Sequence, residues 1–194
     1  MPRFPAPALV LLWSGTVLAG SLGLTWYSFR PGPNAIPPKV WPATNRLALG
    51  RQGFTLVLFA HPRCPCTRAS LEELARLMDG KQNRLRAYVV FFSPGTADGE
   101  WSRTDLWRWA GSIAGVTALR DPDGTQAQLF GAETSGQTVV YDSGGNVVFT
   151  GGITSARGHV GESEGSDAIE ALLGGDKPRL RTTPAFGCAL AASP

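Results

Sequence analysis

This sequence of 194 residues has little excess of positive over negative charge. Its 18 lysine and arginine residues are nearly balanced by 15 aspartate and glutamate residues, so the formal net charge is only +3. Two of the basic residues, Arg3 and Arg30, flank an apolar stretch near the start of the chain. Because proteins that bind nucleic acid carry a concentrated basic patch or stripe, this balance argues against nucleic acid as a partner.

Cysteine is also scarce, with three residues in the whole chain. Three are too few for a disulfide-stapled scaffold, and the odd number leaves at least one thiol unpaired within a monomer. Hydrophobic residues make up 43% of the sequence, which is enough to bury an ordinary core without covalent help. We therefore expect the cysteines, Cys64, Cys66 and Cys188, to serve as reactive or ligating thiols rather than as structural bridges.

The N-terminal stretch lacks charge altogether over residues 4–29. This run is long enough to cross a bilayer as a helix, and Trp26 and Tyr27 fall where an interfacial aromatic belt would lie. We predict that residues 1–30 form a transmembrane anchor. The alternative is a cleaved signal peptide, whose small-residue cleavage site would end at Ala19.

The rest of the sequence divides into three parts. Residues 31–44 are rich in proline and predict a stiff, extended linker, residues 45–175 predict one folded domain, and residues 176–194 form a tail that carries Cys188. Within the domain, short apolar runs indicate buried strands, and apolar spacings of three and four indicate helices. The predicted order is strand 55–59, a helix from Thr67, strand 86–92, helices 104–114 and 126–130, hairpin strands 138–141 and 146–150, and helix 166–173.

The cysteine pair lies at the junction between the first strand and the first helix of this domain. Cys64 lies five residues beyond Phe59, and Cys66 opens the amphipathic helix. A thiol at a helix N-terminus faces unpaired N–H groups and the positive end of the helix dipole, which favour the thiolate. Arg63 and Arg68 add positive charge on either side. We therefore predict that Cys64 and Cys66 form the reactive centre and that Arg63 helps to lower the thiol pKa.

The residues around this pair, Phe59-Ala60-His61-Pro62-Arg63-Cys64-Pro65-Cys66, resemble the strand-loop-helix active site of the thioredoxin superfamily. The resemblance covers about residues 45–175 and implies a thioredoxin-like α/β fold, in which helices flank a central mixed sheet. More narrowly, the chain resembles the RedB-type membrane-anchored thioredoxin-like proteins of bacteria. The segments that carry the narrower resemblance are His61-Pro62, Cys64-Pro65-Cys66-Thr67-Arg68-Ala69-Ser70, Gly151-Gly152-Ile153-Thr154, Arg157-Gly158-His159 and Phe186-Gly187-Cys188.

The resemblance implies thiol–disulfide exchange or electron transfer with a protein thiol or disulfide, and no cofactor. In that scheme Cys64 is the attacking thiolate, Cys66 is the resolving thiol and Cys188 is a third, relay thiol. The cysteine chemistry favours a domain outside the cytoplasm, because disulfides persist there. We therefore expect a single-pass protein of the bacterial cytoplasmic membrane whose soluble domain faces the periplasm.

The sequence departs from the usual superfamily pattern in two places. Only Pro65 separates the two cysteines, where two residues are usual, and a disulfide across so small a ring is strained and oxidising. That property suits an exchange centre better than a structural bridge. Thioredoxins also place a cis-proline before the third core strand to hold the substrate backbone. At that place the chain has Thr134-Ser135-Gly136-Gln137, which contains no proline.

Two other functions fit the same residues. Cys64 and Cys66, together with His159 or His61, would suit a soft ion such as Cu(I), so the first alternative is a copper-binding protein on the same fold. The second is a non-catalytic interaction domain of a membrane redox complex, which the missing cis-proline allows. The neighbours of the Cys64 sulfur distinguish the hypotheses, because a nearby imidazole favours metal binding and a nearby Cys188 favours a relay.

Overall fold

The computed structural model describes residues 6–190, so residues 1–5 of the predicted anchor and residues 191–194 of the predicted tail lie outside the described part. In chain order the elements are α1 (Ala6–Ser28), β1 (Phe54–Ala60), α2 (Pro65–Met78), β2 (Leu85–Ser93), α3 (Asp105–Ser112), β3 (Val116–Pro122), α4 (Thr125–Leu129), β4 (Gln137–Asp142), β5 (Val147–Gly152) and α5 (Glu164–Gly174). Helices and strands alternate from β1 to β4, the hairpin strand β5 follows β4 directly, and most of the elements agree with the predicted order.

The strands of the described residues form one sheet in the order β3-β2-β1-β4-β5. Strands β1, β2 and β3 run parallel, whereas β4 pairs antiparallel with β1, and β5 pairs antiparallel with β4. The β1–α2–β2 unit is the parallel crossover that the sequence predicts, and the β4–β5 hairpin completes the sheet on the other side. Helices cover both faces. The chain therefore has a thioredoxin-like fold, and the predicted fold class is confirmed.

Strand β1 lies in the middle of the sheet because its side chains are apolar on both faces. Leu56 and Leu58 face a core that includes residues of α2, α3 and α5, while Val57 and Phe59 face a second core on the opposite side. All four side chains are fully buried. This central strand places its carboxyl end, and with it the start of α2, at the edge where open α/β sheets usually bind ligands.

Strand β3 has no counterpart among the predicted strands. It lies at the edge of the sheet, and β2 is its neighbour there. Thr117 and Arg120 are exposed, and most of the other β3 side chains are only half-buried. An edge strand is less enclosed than a central one, so β3 lacks the continuous apolar run that marks β1 and β2.

Helix α1 stands apart from the core as an exposed apolar helix. The segment Pro7–Ser28 is 22 residues long and apolar enough to cross a membrane, with 0% of it buried inside the protein. Leu11, Leu12 and Leu18 have exposed fractions of 74%, 66% and 62%. These side chains would be covered if α1 were a core helix of the domain. The structure therefore identifies α1 as a candidate membrane span.

The proline-rich segment after α1 lies along the domain. The backbone N–H of Gly32 donates to the carbonyl of Ala185 at 2.9 Å. The Thr134 hydroxyl donates to the carbonyl of Pro33 at 2.6 Å. Further along, Trp41 packs against aromatic side chains of the second core. These contacts bring the end of α1 next to the C-terminal segment of the chain.

Candidate active site

Cys64 is the N-cap residue of α2, at the point where the chain turns from β1 into the helix. Its backbone is extended (φ −84°, ψ 122°), and Pro65 takes the first turn of the helix, where a missing N–H costs little. The Cys64 side chain makes no capping hydrogen bond. Its thiol is therefore left beside the positive end of the helix, in the position that the sequence predicts.

Three thiols meet at this end of α2. The sulfur atoms of Cys64 and Cys188 are 2.9 Å apart, although 124 positions separate the two residues in the chain. Cys66 lies two residues further on, in the first turn of α2, and its thiol acts on the pKa of Cys64. All three residues are free cysteines in this structure. The Cys64 sulfur thus contacts the Cys188 thiol, which favours the relay over the metal hypothesis.

Hydrogen bonds and burial shift the pKa values of the three thiols in opposite directions. Donation from the Cys66 thiol, then from Cys188 and from the backbone, outweighs burial and lowers the pKa of Cys64 to about 4. The hydrogen bond to Cys64, together with burial, raises the pKa of Cys66. Burial, followed by the hydrogen bond to Cys64, raises the pKa of Cys188 to about 11. These shifts favour the thiolate at Cys64 and the protonated thiol at Cys66 and Cys188.

The C-terminal segment reaches the start of α2 by pairing with the loop before β4. The N–H of Ser135 donates to the carbonyl of Cys188 at 2.8 Å, and the N–H of Leu190 donates to the carbonyl of Glu133 at 2.8 Å. An antiparallel bridge lies between these two hydrogen bonds. The Leu190 side chain is buried in the second core. Backbone pairing and one apolar anchor thus place the third thiol.

Ser135 also joins this loop to the start of α2. Its hydroxyl oxygen accepts from the backbone N–H of His61 at 2.9 Å and lies 2.9 Å from the hydroxyl of Thr67. The N–H of Gly136 donates to the carbonyl of Phe59 at 2.7 Å, and Gly136 has a φ of 92°, which favours glycine. Where thioredoxins have a cis-proline, this chain therefore holds the loop in place with a serine and a glycine.

Arg157 belongs to the site, although its only sequence signal is the Arg-Gly-His segment of the family resemblance. Its guanidinium donates to the carbonyl of Gly187 and lies over the ring of Tyr27, 4.9 Å from the centroid. Its backbone N–H donates to the carbonyl of Ser28 at 3.0 Å. Its charge partly offsets the rise that hydrogen bonding and burial cause in the pKa of Cys66. Arg157 thus connects the end of α1 to the C-terminal segment.

Arg63, which is predicted to lower the pKa of Cys64, lies on the exposed side of the site. Its guanidinium is stacked over the ring of Trp101, 4.6 Å from the centroid. Burial is the main cause of a lowered pKa at His61; Cys64 opposes this shift, and the charge of Arg63 adds to it. The effect of Arg63 on Cys64 stays a prediction, for which a substitution provides the test.

Neither histidine completes a metal site in the described part of the chain. His61 accepts a hydrogen bond at Nδ1 from the N–H of Arg63 at 3.2 Å and stacks on Phe92. His159 is exposed. Within residues 6–190, no group of three or more histidine, cysteine, aspartate or glutamate side chains is arranged to hold a metal ion. The copper hypothesis therefore gains no support from this arrangement.

Known structures share this architecture. The chain is similar to an uncharacterized conserved protein from Geobacillus kaustophilus, with a TM-score of 0.61 and 20% identity over 86% of this chain and 94% of that one. It is also similar to a hypothetical protein from Sinorhizobium meliloti 1021, with a TM-score of 0.58 and 22% identity over 84% of this chain and 94% of that one. DsbF of MTB, in mixed oxidised and reduced forms, gives a TM-score of 0.46 at 19% identity over 64% of this chain and 82% of that one. No protein-family model and no curated protein matches the chain.

Proposed function

We propose that this chain is a membrane-anchored thiol–disulfide oxidoreductase of the thioredoxin-like class, with Cys64 as its nucleophile. The observation that carries the proposal is the distance of 2.9 Å between the sulfur atoms of Cys64 and Cys188. Disulfide exchange requires one sulfur to attack another, so reacting thiols must come into contact. The contact lies at a helix N-terminus, where a thiolate is stabilised.

The proposed reaction starts when the Cys64 thiolate attacks one sulfur of a partner disulfide. A bond forms between Cys64 and that sulfur, the partner's S–S bond breaks, and the second partner sulfur leaves as a thiolate that takes up a proton. Cys66 or Cys188 then loses its proton, attacks the Cys64 sulfur and releases the first partner sulfur, which is also protonated. The protein is left with one intramolecular disulfide, and the partner has gained two electrons and two protons. The reverse sequence oxidises a partner dithiol.

The two protonated thiols have different settings and therefore different proposed roles. Cys66 lies in the first turn of α2, fixed next to Cys64, and we assign it as the resolving thiol. Cys188 lies on the segment that follows α5 and is half-buried, so we assign it as a relay thiol that can carry the disulfide away from α2. The thiols supply both electrons, so the scheme uses no cofactor.

The proposal also includes the membrane and the compartment. The apolar surface of α1 is exposed along its length, and a bilayer would cover it. At the end of α1, the guanidinium of Arg30 lies 5.0 Å from the ring centroid of Trp26, a pairing suited to a membrane interface. Disulfide exchange with proteins suits an oxidising compartment such as the bacterial periplasm. The resemblance to RedB-type proteins supports the same location, on the outer side of the cytoplasmic membrane.

The test uses the full chain in detergent and three single substitutions. Cys64→Ser is expected to abolish reduction of a small disulfide reagent, because it removes the nucleophile. Cys66→Ser is expected to accumulate mixed disulfides with partner proteins in cell membranes, because the resolving thiol is missing. Cys188→Ser serves as the control and should still reduce the small reagent, since Cys66 remains available to resolve.

Three results would count against this function. Exchange activity that survives in both Cys64→Ser and Cys66→Ser would show that neither thiol carries the reaction. A wild-type chain that binds Cu(I) tightly through these thiols but exchanges no disulfide would favour the copper hypothesis. A chain that does neither would favour the non-catalytic interaction domain.

A further inference from the structure

The C-terminal segment occupies the position that a bound peptide would take. Cys188 and Leu190 make the hydrogen bonds of an antiparallel strand with Ser135 and Glu133, each at 2.8 Å. Proteins that bind extended peptides by adding a strand use this backbone pattern. The pairing puts the Cys188 sulfur 2.9 Å from the sulfur of Cys64. The segment thus presents a cysteine to the nucleophile as a substrate would.

The same segment restricts access to the nucleophile. Cys64 is only 2% exposed, whereas Cys188 is half-buried and Ala189 is exposed. The segment is therefore part of the layer between the Cys64 sulfur and the solvent. A partner's sulfur would reach Cys64 at this position only if the segment moved away.

The fit of the segment depends on a glycine and on an apolar side chain. A Cβ atom added to Gly187 would lie 1.9 Å from the carbonyl oxygen of Ser135, which is far closer than real atoms approach. The Arg157 guanidinium donates to the carbonyl of Gly187 and so holds the Gly187 backbone close to Ser135. Two residues after Cys188, the side chain of Leu190 is 3% exposed. The site therefore fits a Gly-Cys pair with an apolar residue two positions beyond the cysteine.

We propose that residues 133–135 and Arg157 form a docking site for an extended segment of a partner protein in which glycine directly precedes the reactive cysteine. Residues 187–190 of the chain itself are the resident occupant of this site, and the partner displaces them. The proposal rests on the proposed function and adds the chemistry of the partner to it.

Docking puts the partner's cysteine in the place of Cys188. The Cys64 thiolate attacks the sulfur of that cysteine, the bond from that sulfur to its former disulfide partner breaks, and the released sulfur leaves as a thiolate. Cys66 loses its proton, attacks the Cys64 sulfur and releases the docked segment as a thiol. The resident segment then returns to residues 133–135.

The first test needs no variant. The reduced full chain in detergent is mixed with one of two pentapeptides, Phe-Gly-Cys-Ala-Leu or Phe-Ala-Cys-Ala-Leu, each as a mixed disulfide with thionitrobenzoate. Thionitrobenzoate is the better leaving group, so release of its colour measures attack on the peptide sulfur. We expect the glycine peptide to react at least about tenfold faster, because the alanine Cβ would clash with the Ser135 carbonyl. Equal rates for the two peptides would overturn the proposal.

The second test concerns the resident segment and uses Gly187→Ala, with Gly111→Ala as the matched control. Gly111 is exposed on α3 and has open space where a Cβ would lie. Gly187→Ala should expel the segment and raise the rate with the glycine peptide by about tenfold, because a larger fraction of the sites is open. Gly111→Ala should react like the wild type.

The outcomes separate this proposal from the function on which it rests. An unchanged rate in Gly187→Ala, with a wild-type circular dichroism spectrum, would overturn the docking site. If Gly187→Ala does not fold, the two peptides on the wild-type chain decide the matter. Failure of the proposed function would look different, because the wild-type chain would then release no colour from either peptide or from a free disulfide reagent.

Discussion

Helices α2 and α5 begin in opposite ways. The α5 helix begins after Ser163, whose hydroxyl accepts from the N–H of Ser166 at 3.1 Å, while the Ser166 hydroxyl accepts from the N–H of Ser163 at 3.2 Å. Glu164 and Asp167 add negative charge in the first turn of α5. The α2 helix begins after Cys64, without a side-chain capping bond and without an acidic residue in its first turn.

This difference shows that a helix start can serve either stability or reactivity. In α5, the hydroxyl oxygens of Ser163 and Ser166 accept from two N–H groups at the start of the helix, an arrangement worth about 1 kcal/mol. In α2, the group at the start of the helix is the Cys64 sulfur. Hydrogen bonding from Cys66 and Cys188, through thiols and backbone, lowers the pKa of Cys64. We therefore expect changes at Cys64 to remove the chemistry and to alter the pH dependence of stability, and changes at Ser163 to alter stability without altering the chemistry.

The largest expected effect is on alkylation. The pKa of Cys64 is lowered to about 4 and that of Cys188 is raised to about 11, so at pH 7 the first is a thiolate and the second is almost wholly protonated. We expect iodoacetamide to modify Cys64 roughly three- to fifteenfold faster, after allowance for the weaker nucleophilicity of a low-pKa thiolate. Mass spectrometry of the cysteine peptides after timed reaction measures both rates.

The pH profile of this reaction is the sharper measurement, because limited access to Cys64 slows alkylation at every pH without moving the midpoint. The rate at Cys64 should stay constant above about pH 5 and fall as the pH passes through about 4. A midpoint at the ordinary pKa of a cysteine would show that the start of α2 does not stabilise a thiolate, and the comparison with α5 would fail.

The place of Cys64 could be predicted from the sequence because its signals are local. The apolar run of β1 changes to helical spacing within a few residues, and Pro65 marks the first turn of the helix. The place of Cys188 could not be predicted from such signals. It depends on backbone hydrogen bonds to Ser135 and Glu133, and every residue except proline offers the same backbone groups.

Burial also decides which other elements could be predicted from the sequence. Strands β1 and β2, the β4–β5 hairpin and the amphipathic helices were predictable because burial imposes a repeating pattern on them. Strand β3 lies at the edge and carries Thr117 and Arg120, so burial imposes less pattern there. Arg157 enters the site through a long side chain that reaches Gly187, a contact between segments that no repeat or spacing encodes.

The second expected effect is on the pH dependence of stability. In the folded chain the pKa of Cys64 is lowered from 9.0 to about 4, so between these values the unfolded chain binds one more proton at this residue. The stabilisation is complete above the ordinary pKa and is lost as the pH falls toward 4, with a slope of at most about 1.4 kcal/mol per pH unit. The pKa values of Cys66 and Cys188 are raised, so both stay protonated across this range and do not oppose the effect.

Urea unfolding of the full chain in detergent at pH 5 and pH 7 measures this effect. Between these pH values the wild type should gain up to about 2–3 kcal/mol more than Cys64→Ser, because serine does not ionise. Titrating groups that Cys64 does not affect cancel in the difference, whereas His61 reduces it, because the thiolate opposes the lowering of the His61 pKa. The same pH dependence in both chains would mean that the thiolate contributes nothing to the folded state.

A smaller effect is expected from the capping residue of α5. Ser163→Ala removes the hydroxyl that accepts from Ser166 and should lower the free energy of unfolding by about 1 kcal/mol while leaving the rate of disulfide exchange unchanged. Ser143→Ala, at an exposed hairpin position, is the matched control and should change stability by less than about 0.5 kcal/mol. Urea unfolding at pH 7 compares the variants. A loss of disulfide exchange in a folded Ser163→Ala chain would show that the start of α5 also affects reactivity, which would contradict the comparison of the two helices.

The smallest effect is expected from Arg63→Gln. Loss of the positive charge should raise the pKa of Cys64, but by only about half a unit or less, because Arg63 is exposed, lies over Trp101 and is screened by solvent. Arg68→Gln is the control from the other side of the motif, since the charge of Arg68 is already paired with Asp105 at 2.6 Å. The midpoint of the alkylation profile measures both changes. A rise of more than about one unit in Arg63→Gln would assign to this arginine much of the stabilisation that we attribute to the two thiol donors and the helix start.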